Sequence, residues 1–289
     1  MWHKKVTLQP VSKIIHRFTF YFFLSAMLSF AACSSYQKVL KSSNTELKYD
    51  TAIKLYNKKE YSKAYPLLEE LVSVTRGTQK AEELYFIYSY CNYYLNDLAS
   101  ASYHFEQFSK LYPSSESAEE AAYMAAYCYY LGSPQFNLDQ TNTFKAIDEM
   151  QIFVNRYPTS ERVEDCNRLI DELRAKLEKK DISHAMLFFQ ISDYKAAIAS
   201  LKNILKDYPS TKSREEVMIT LIKSHYFLAE NSVDEKKEIR YKQTIDAYYS
   251  LIDKFASAKK AKEAESFFDK ANERLNKLKQ STSQQWAKK

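Results

Sequence analysis

The sequence predicts an all-helical protein made of helical hairpins, about five of them, stacked as a solenoid. Three observations carry that expectation. Only two glycines and six prolines occur in 289 residues, too few for the tight turns of sheets or for phosphate-cradling loops. Alanine, leucine, lysine and glutamate recur at helical spacing, and 24 tyrosines and 17 phenylalanines supply rings to pack helix on helix. Tyrosine-proline followed by hydroxyl residues is written three times, at Tyr112-Pro113-Ser114-Ser115, Tyr157-Pro158-Thr159-Ser160 and Tyr208-Pro209-Ser210-Thr211. Recurrence at spacings of 45 and 51 residues is the mark of an array.

The first segment reads as an address. Residues 1–17 carry Lys4, Lys5, Lys13 and Arg17, and Phe18 to Ala32 is an uncharged, mostly apolar run ending Phe30-Ala31-Ala32-Cys33. This is the three-part layout of a secretory signal peptide. The run is shorter than the roughly 20 residues a membrane-spanning helix needs, and polar Ser34-Ser35 follow it, so residues 1–32 are expected to be removed. Cysteine directly after two alanines resembles the lipobox of bacterial lipoproteins, which implies acyl chains on Cys33; apart from these no cofactor is expected. Each buried methylene of such a chain contributes about 0.8 kcal/mol, so three chains anchor permanently. Residues 33–45 read as a lipidated polar tether, of which 34–45 span at most about 40 Å when extended.

The repeats follow. Twelve residues before the three prolines lie Ala101, Ala146 and Ala197; eight before, Phe105, Met150 and Leu201; five before, Phe108, Phe153 and Ile204. Steps of four and three put these on one helix face, with alanine allowing close approach of a neighbour. Proline ends the helix, the hydroxyl two positions later caps the next, and acids such as Glu119, Glu164 and Glu215 follow where the helix dipole favours them. Tyr61, Ala64, Leu68 and Leu71 repeat the pattern with Arg76 at the proline position, and Ala247 with Leu251 is its most degenerate copy. The predicted units are 46–76, 78–113, 115–158, 180–209 and 212–256, with polar insertions at 132–142 and 231–239 and an extra helix over 160–180. Grouped by domain, units one to three fill 46–158, the linking helix with units four and five fills 159–257, and 258–289 is a basic amphipathic C-terminal helix and tail.

An aromatic, then alanine, then a bulky apolar residue, then a closing proline is similar to the second helix of a tetratricopeptide repeat; Tyr194, Ala197, Leu201, Ile204 and Pro209 match it. Together with the cysteine anchor, the stretch from Tyr157-Pro158-Thr159-Ser160 through Leu173-Arg174-Ala175-Lys176-Leu177-Glu178 to Asp207-Tyr208-Pro209 resembles the BamD family, lipoproteins of the machine that inserts β-barrel proteins into the outer membrane. Asp139-Gln140 lies in an insertion placed as in that family. The resemblance implies a scaffold on the periplasmic face of the outer membrane. Its C-terminal repeats would dock on the barrel-forming subunit and other assembly lipoproteins. Its N-terminal repeats would receive unfolded outer-membrane proteins. A Tol-associated or cell-wall-enzyme adaptor is the nearest alternative, and a carbohydrate-binding uptake lipoprotein a more distant one.

Two surfaces are candidates for these roles. Tyr49, Tyr56, Tyr61, Tyr65, Tyr85 and Tyr88 would line a client groove, since a tyrosine ring is apolar and its hydroxyl can pair; packing between helices is the competing reading for each. Arg162, Arg168 and Arg174 would meet a partner from the extra helix, unless they form a solvated face. No catalytic or metal-binding pattern occurs: His104, His184 and His225 are isolated, and H-E-x-x-H, Gly-x-Ser-x-Gly and Gly-x-x-x-x-Gly-Lys are absent. Four of the 42 basic residues fall within residues 1–32, which hold no acid, leaving 38 against 36 and no basic field for nucleic acid. Cys91, Cys128 and Cys166 lie in helical segments, as buried free thiols or with one disulfide among them.

Overall fold

The structure, a computed structural model, describes residues 35–255 and 261–287. Cys33, expected to carry the lipid anchor, the expected signal segment, and Lys259 and Lys260 of the basic tail lie outside the described residues. Those that are described form helices and turns, without a strand. A short helical stretch over 35–40 precedes α1 (Thr45–Asn57), α2 (Tyr61–Val74), α3 (Ala81–Tyr94), α4 (Leu98–Leu111), α5 (Ala118–Leu131), α6 (Thr141–Arg156), α7 (Val163–Gln190), α8 (Tyr194–Asp207), α9 (Arg214–Glu230), α10 (Asp234–Lys254) and α11 (Ala261–Ala287). None of these helices is long and apolar enough to cross a membrane. The described residues fall into two compact units, one of residues 35–132 and 144–166, the other of 133–143, 167–255 and 261–287.

Within the first unit, α1–α2 and α3–α4 are hairpins, and α5 pairs with most of α6; in the second, the C-terminal part of α7 pairs with α8, and α9 with α10. The repeating alanines Ala64, Ala101, Ala146 and Ala197 are all fully buried, as are Leu68, Phe105, Met150 and Leu201 one turn on. Burying each of these larger side chains contributes about 1.5–3 kcal/mol, and the alanines set how closely the paired helices approach.

Two kinds of turn alternate. Inside a hairpin the helix ends on a residue with positive φ, Lys59 at 61°, Asn96 at 61° and Ser192 at 63°. The next amide reaches back five residues, Glu60 to Leu55, Asp97 to Asn92 and Asp193 to Phe188, which closes the helix in a Schellman motif. Asp97 and Asp193 then cap the following helix through Ser100 and Ala196 amides at 3.1 Å. Between hairpins, the hydroxyls of Ser115, Ser160 and Thr211 each accept from the amide two residues on, at 3.0, 3.2 and 3.1 Å. The Tyr-Pro motif therefore builds the same turn three times. Between α2 and α3 the proline is absent and Gly77, φ 80°, takes up the left-handed conformation; a Cβ there would meet no atom, so it is backbone freedom that the site requires.

Three expectations change. Residues 35–40, expected in the tether, are helical, with Tyr36, Val39 and Leu40 against the first hairpin and the Tyr36 hydroxyl on the Lys63 carbonyl at 2.9 Å. The polar run 231–239 is largely the first turns of α10, its acids Asp234 and Glu235 placed at the helix N-terminus. The extra helix is continuous with the first helix of the fourth hairpin, giving the 28-residue α7. No glycine or proline interrupts that stretch, so nothing stops the helix at residue 180.

The insertion before α6 is an ordered loop belonging to the second unit. Buried Gln140 donates to the carbonyls of Gln135 and Leu138 at 2.8 and 3.1 Å and accepts from Thr143 at 2.6 Å. Three lysines of α7 hold the loop: Lys176 on the Ser133 hydroxyl at 2.8 Å, Lys180 on the Leu138 carbonyl at 2.6 Å and Lys179 over the Phe136 ring at 4.4 Å. At the other end, α11 lays Ala264, Ala271 and Leu275 into the core with Phe267 beside them. Its charges face outward, with Lys223–Glu263 bridging to α9 at 2.8 Å.

Candidate functional site

The six tyrosines of the first hairpins divide into separate groups. Tyr56 and Tyr61 meet Tyr94 at the hairpin ends, Tyr61 stacked on it at 4.5 Å. Tyr65 and Tyr88 share a hydroxyl contact of 3.1 Å. Tyr49 donates to Glu83 at 2.9 Å beneath Lys80, whose ammonium sits 4.1 Å over its ring while pairing with Glu46 at 2.8 Å. Tyr88 is buried and the other five are half-buried against the core of α1–α3. These contacts are inter-helix packing, and Tyr85 also opens onto a cavity.

That cavity, about 500 Å³, lies over α2, α3 and α4 in the first unit, and Arg76, Tyr85, Tyr103, His104, Leu111 and Tyr112 are among its walls. The α2–α3 turn supplies Arg76 beside Gly77, and α3 supplies Tyr85. Helix α4 contributes Tyr103 and Leu111, 54 % and 62 % exposed, outside the stripe of its buried Ala101, Phe105 and Phe108. His104 is ringed by tyrosines, with Tyr88, Tyr103 and Tyr85 centroids at 4.8, 5.2 and 5.6 Å. Its Nδ1 meets the Tyr85 hydroxyl at 3.2 Å.

Burial holds the His104 imidazolium below its ordinary range against the opposing pull of Asp97 and Glu69, so the ring is neutral near pH 7. Burial likewise pushes the Tyr85 phenol up to about 12, with neighbouring tyrosines adding to the effect and Arg76 opposing it. Arg76 is exposed and makes no ion pair among the described residues. The cavity thus combines aromatic walls, neutral hydrogen-bonding groups and one unpaired cation at its edge. Such a site suits a short apolar or aromatic segment bearing a carboxylate. The sequence signals were present but weak: Tyr103 and Leu111 are off-face apolar residues eight apart, and His104 is isolated by motif.

The three arginines do not share a face. Arg162 precedes α7 and is engaged within the first unit: its guanidinium pairs with Glu120 and lies 4.2 Å from the Tyr123 ring centroid, while Tyr90 donates to the same carboxylate and Tyr123 to Asp165 at 3.0 Å. Arg168 stands 3.7 Å from Glu172 on its own helix, and Arg174 is exposed. Six residues along a helix is about 240° of rotation, which turns successive arginines to different sides. Cys91, Cys128 and Cys166 are buried free thiols pushed up to about 12, 12 and 11, in each case chiefly by burial. Among the described residues no group of three or more His, Cys, Asp or Glu side chains could hold a metal ion.

A family model described as an outer membrane lipoprotein, YfiO, matches residues 41–240. The outer membrane protein assembly factor BamD of Caulobacter vibrioides is 24 % identical over 207 residues, 70 % of this chain and 68 % of that protein. BamD of Rickettsia prowazekii is 23 % identical over 180 residues, 62 % of this chain and 72 % of that protein. Among solved structures, the TPR domain of P58(IPK) aligns over 89 % of this chain and 69 % of its own at 16 % identity, with a TM-score of 0.38. The assembly chaperone of RpL4, Acl4, aligns over 83 % and 99 % at 12 % identity, with a TM-score of 0.27.

Proposed function

The chain belongs to the YfiO outer-membrane lipoprotein family, and from that membership we propose that it is a lipid-anchored scaffold of outer-membrane protein assembly. In this reading it works at the periplasmic face, binding the barrel-forming subunit, its fellow assembly lipoproteins and unfolded barrel clients. The observation that carries the reading is the family match across all but the last of the helical hairpins, joined by two BamD relatives of similar length. The signal layout and Cys33 agree with it. With the helical stretch 35–40 packed on the first hairpin, only Ser34 separates the acylated cysteine from that stretch, so the body sits against the headgroups.

The Arg76–Tyr85–His104 cavity is the client site in this proposal, its aromatic walls taking a terminal aromatic side chain and Arg76 the α-carboxylate. The test is fluorescence anisotropy of the full chain with peptides ending in phenylalanine, as free acid and as amide. Binding of the acid, weakened about tenfold or more by Tyr85→Ala and by amidation, is expected. Equal binding of acid and amide, or none, overturns the assignment. For the wider role, the measurement is affinity isolation from solubilised membranes beside a Cys33→Ala chain. Recovery of Tol components or cell-wall enzymes without a barrel-forming subunit would replace the reading by an adaptor of another system.

A further inference from the structure

One face of α7 is left half uncovered. At 100° per residue, Leu169, Leu173, Lys176, Lys180, Leu187 and Ile191 fall within about 60° of one another. Leu169 and Leu173 are buried. The chain's own loop covers the middle of the face, where Lys176 and Lys180 reach Ser133 and Leu138. Beyond it the face emerges apolar, with Leu187 50 % and Ile191 62 % exposed, and the loop contributes Leu138, 54 % exposed.

Next to this stripe, across His184, is a cavity of about 300 Å³ between α7 and α8, with Asp181, His184, Phe188, Asn203, Asp207 and Tyr208 in its walls. The Tyr208 hydroxyl donates to Asp181 at 2.6 Å. Neither Asp181 nor Asp207 has an ion-pair partner among the described residues, and Lys180, next to Asp181 in sequence, donates to the loop carbonyl of Leu138. Uncompensated carboxylates beside a bare aliphatic stripe define the complement they fit.

We propose that the Leu187–Ile191 face of α7 and the adjoining Asp181–Asp207 cavity form one docking surface. Its occupant is a segment of a partner protein that sets a lysine or arginine about one helical turn from a large apolar side chain. The apolar residue continues the stripe, as the chain's own loop does lower down, and the cation enters the cavity. The inference rests on the scaffold reading and gives it a second surface, distinct from the client cavity in the first unit.

The experiment places the photocrosslinker p-benzoylphenylalanine at position 187 or 191 of the full lipoprotein in native membranes, with exposed position 235 as control. Expected is a product with a different protein, whose linked peptide carries lysine or arginine within four residues of the attachment point. Its yield should fall about fivefold in an Asp181→Asn/Asp207→Asn chain of unchanged melting temperature and fall also with added salt. Yield no higher than at position 235 overturns the proposal, as does a product with a second copy or with the chain's own tail, a linked peptide without a basic residue, or indifference to both salt and the carboxamides. Peptide binding is measured on the same preparations. If the peptide binds and the cross-link is missing, this inference alone fails; if the peptide does not bind, the client-site assignment fails whatever the cross-link shows.

Discussion

Lys59, Asn96 and Ser192 hold left-handed conformations at the same point of three hairpins, and they tolerate them unequally. Asparagine's short amide suits that region and lysine's stem does not. Lys59→Gly should therefore stabilise the chain by about 1 kcal/mol and Asn96→Gly by less, read as a shift in urea midpoint. A second residue-scale effect comes from His225, 4 % exposed with Nδ1 unpartnered among the described residues. Burial, with help from Lys202, lowers its pKa to about 4. The unfolded chain takes up that proton near pH 6.5 and the folded chain only near 4, so the stability is complete above 6.5 and is lost as pH falls through that window. The full displacement corresponds to about 3 kcal/mol. His225→Leu should flatten the slope of stability between pH 6.5 and 4, and an unchanged slope would assign it to other groups.

At the scale of the element, the insertion loop depends on one amide. Gln140→Ala removes the one side chain that joins the Gln135 and Leu138 carbonyls to the Thr143 hydroxyl, and each such hydrogen bond contributes about 0.5–1.5 kcal/mol net. The expected readout is faster amide exchange and proteolysis confined to residues 133–143, with the hairpins protected as before. The hairpins themselves were legible in the sequence, because buried alanines and Tyr-Pro turns impose a strict spacing. The 35–40 helix was not, since six residues are too few to show a period. Nor was the start of α10, where acids that mark a helix N-terminus also look like a polar loop. The site was legible only in part. A tyrosine between two helices and one facing a cavity have the same sequence spacing, so Tyr56, Tyr61 and Tyr65 could not be told from Tyr85. Arg76 stood out only as a missing proline.

At the scale of the whole molecule, the family match ends at residue 240, while α10 continues to Lys254 and α11 follows. A hairpin of an array needs a neighbour to cover its open side, and α11, with a polar outer face, covers α9–α10. Ending the chain at Phe255 would bare Met218, Ile222, Tyr226, Ala229 and Leu251, which pack in the clusters that include α11 residues. Such a chain should melt lower and self-associate at micromolar concentration, seen by light scattering, while its N-terminal cavity still binds peptide. The basic composition of 261–280 thus goes with a packed helix: Lys277 pairs with Glu273 one turn away and Lys270 lies 5.0 Å over Phe267.

The unbroken length of α7 has a consequence for how this family member can change. A helix that carries several contact faces along 28 residues keeps them in phase only while its residue count is held. Losing one residue near position 175 would turn everything beyond it by about 100°, taking Lys180 away from Leu138 and Ala185 out of the core it shares with Ala197 and Leu201. Losing seven would turn it by only about 20°. Length here is quantised: insertions and deletions within α7 are tolerable in steps near whole turns, while the loops on either side are under no such count.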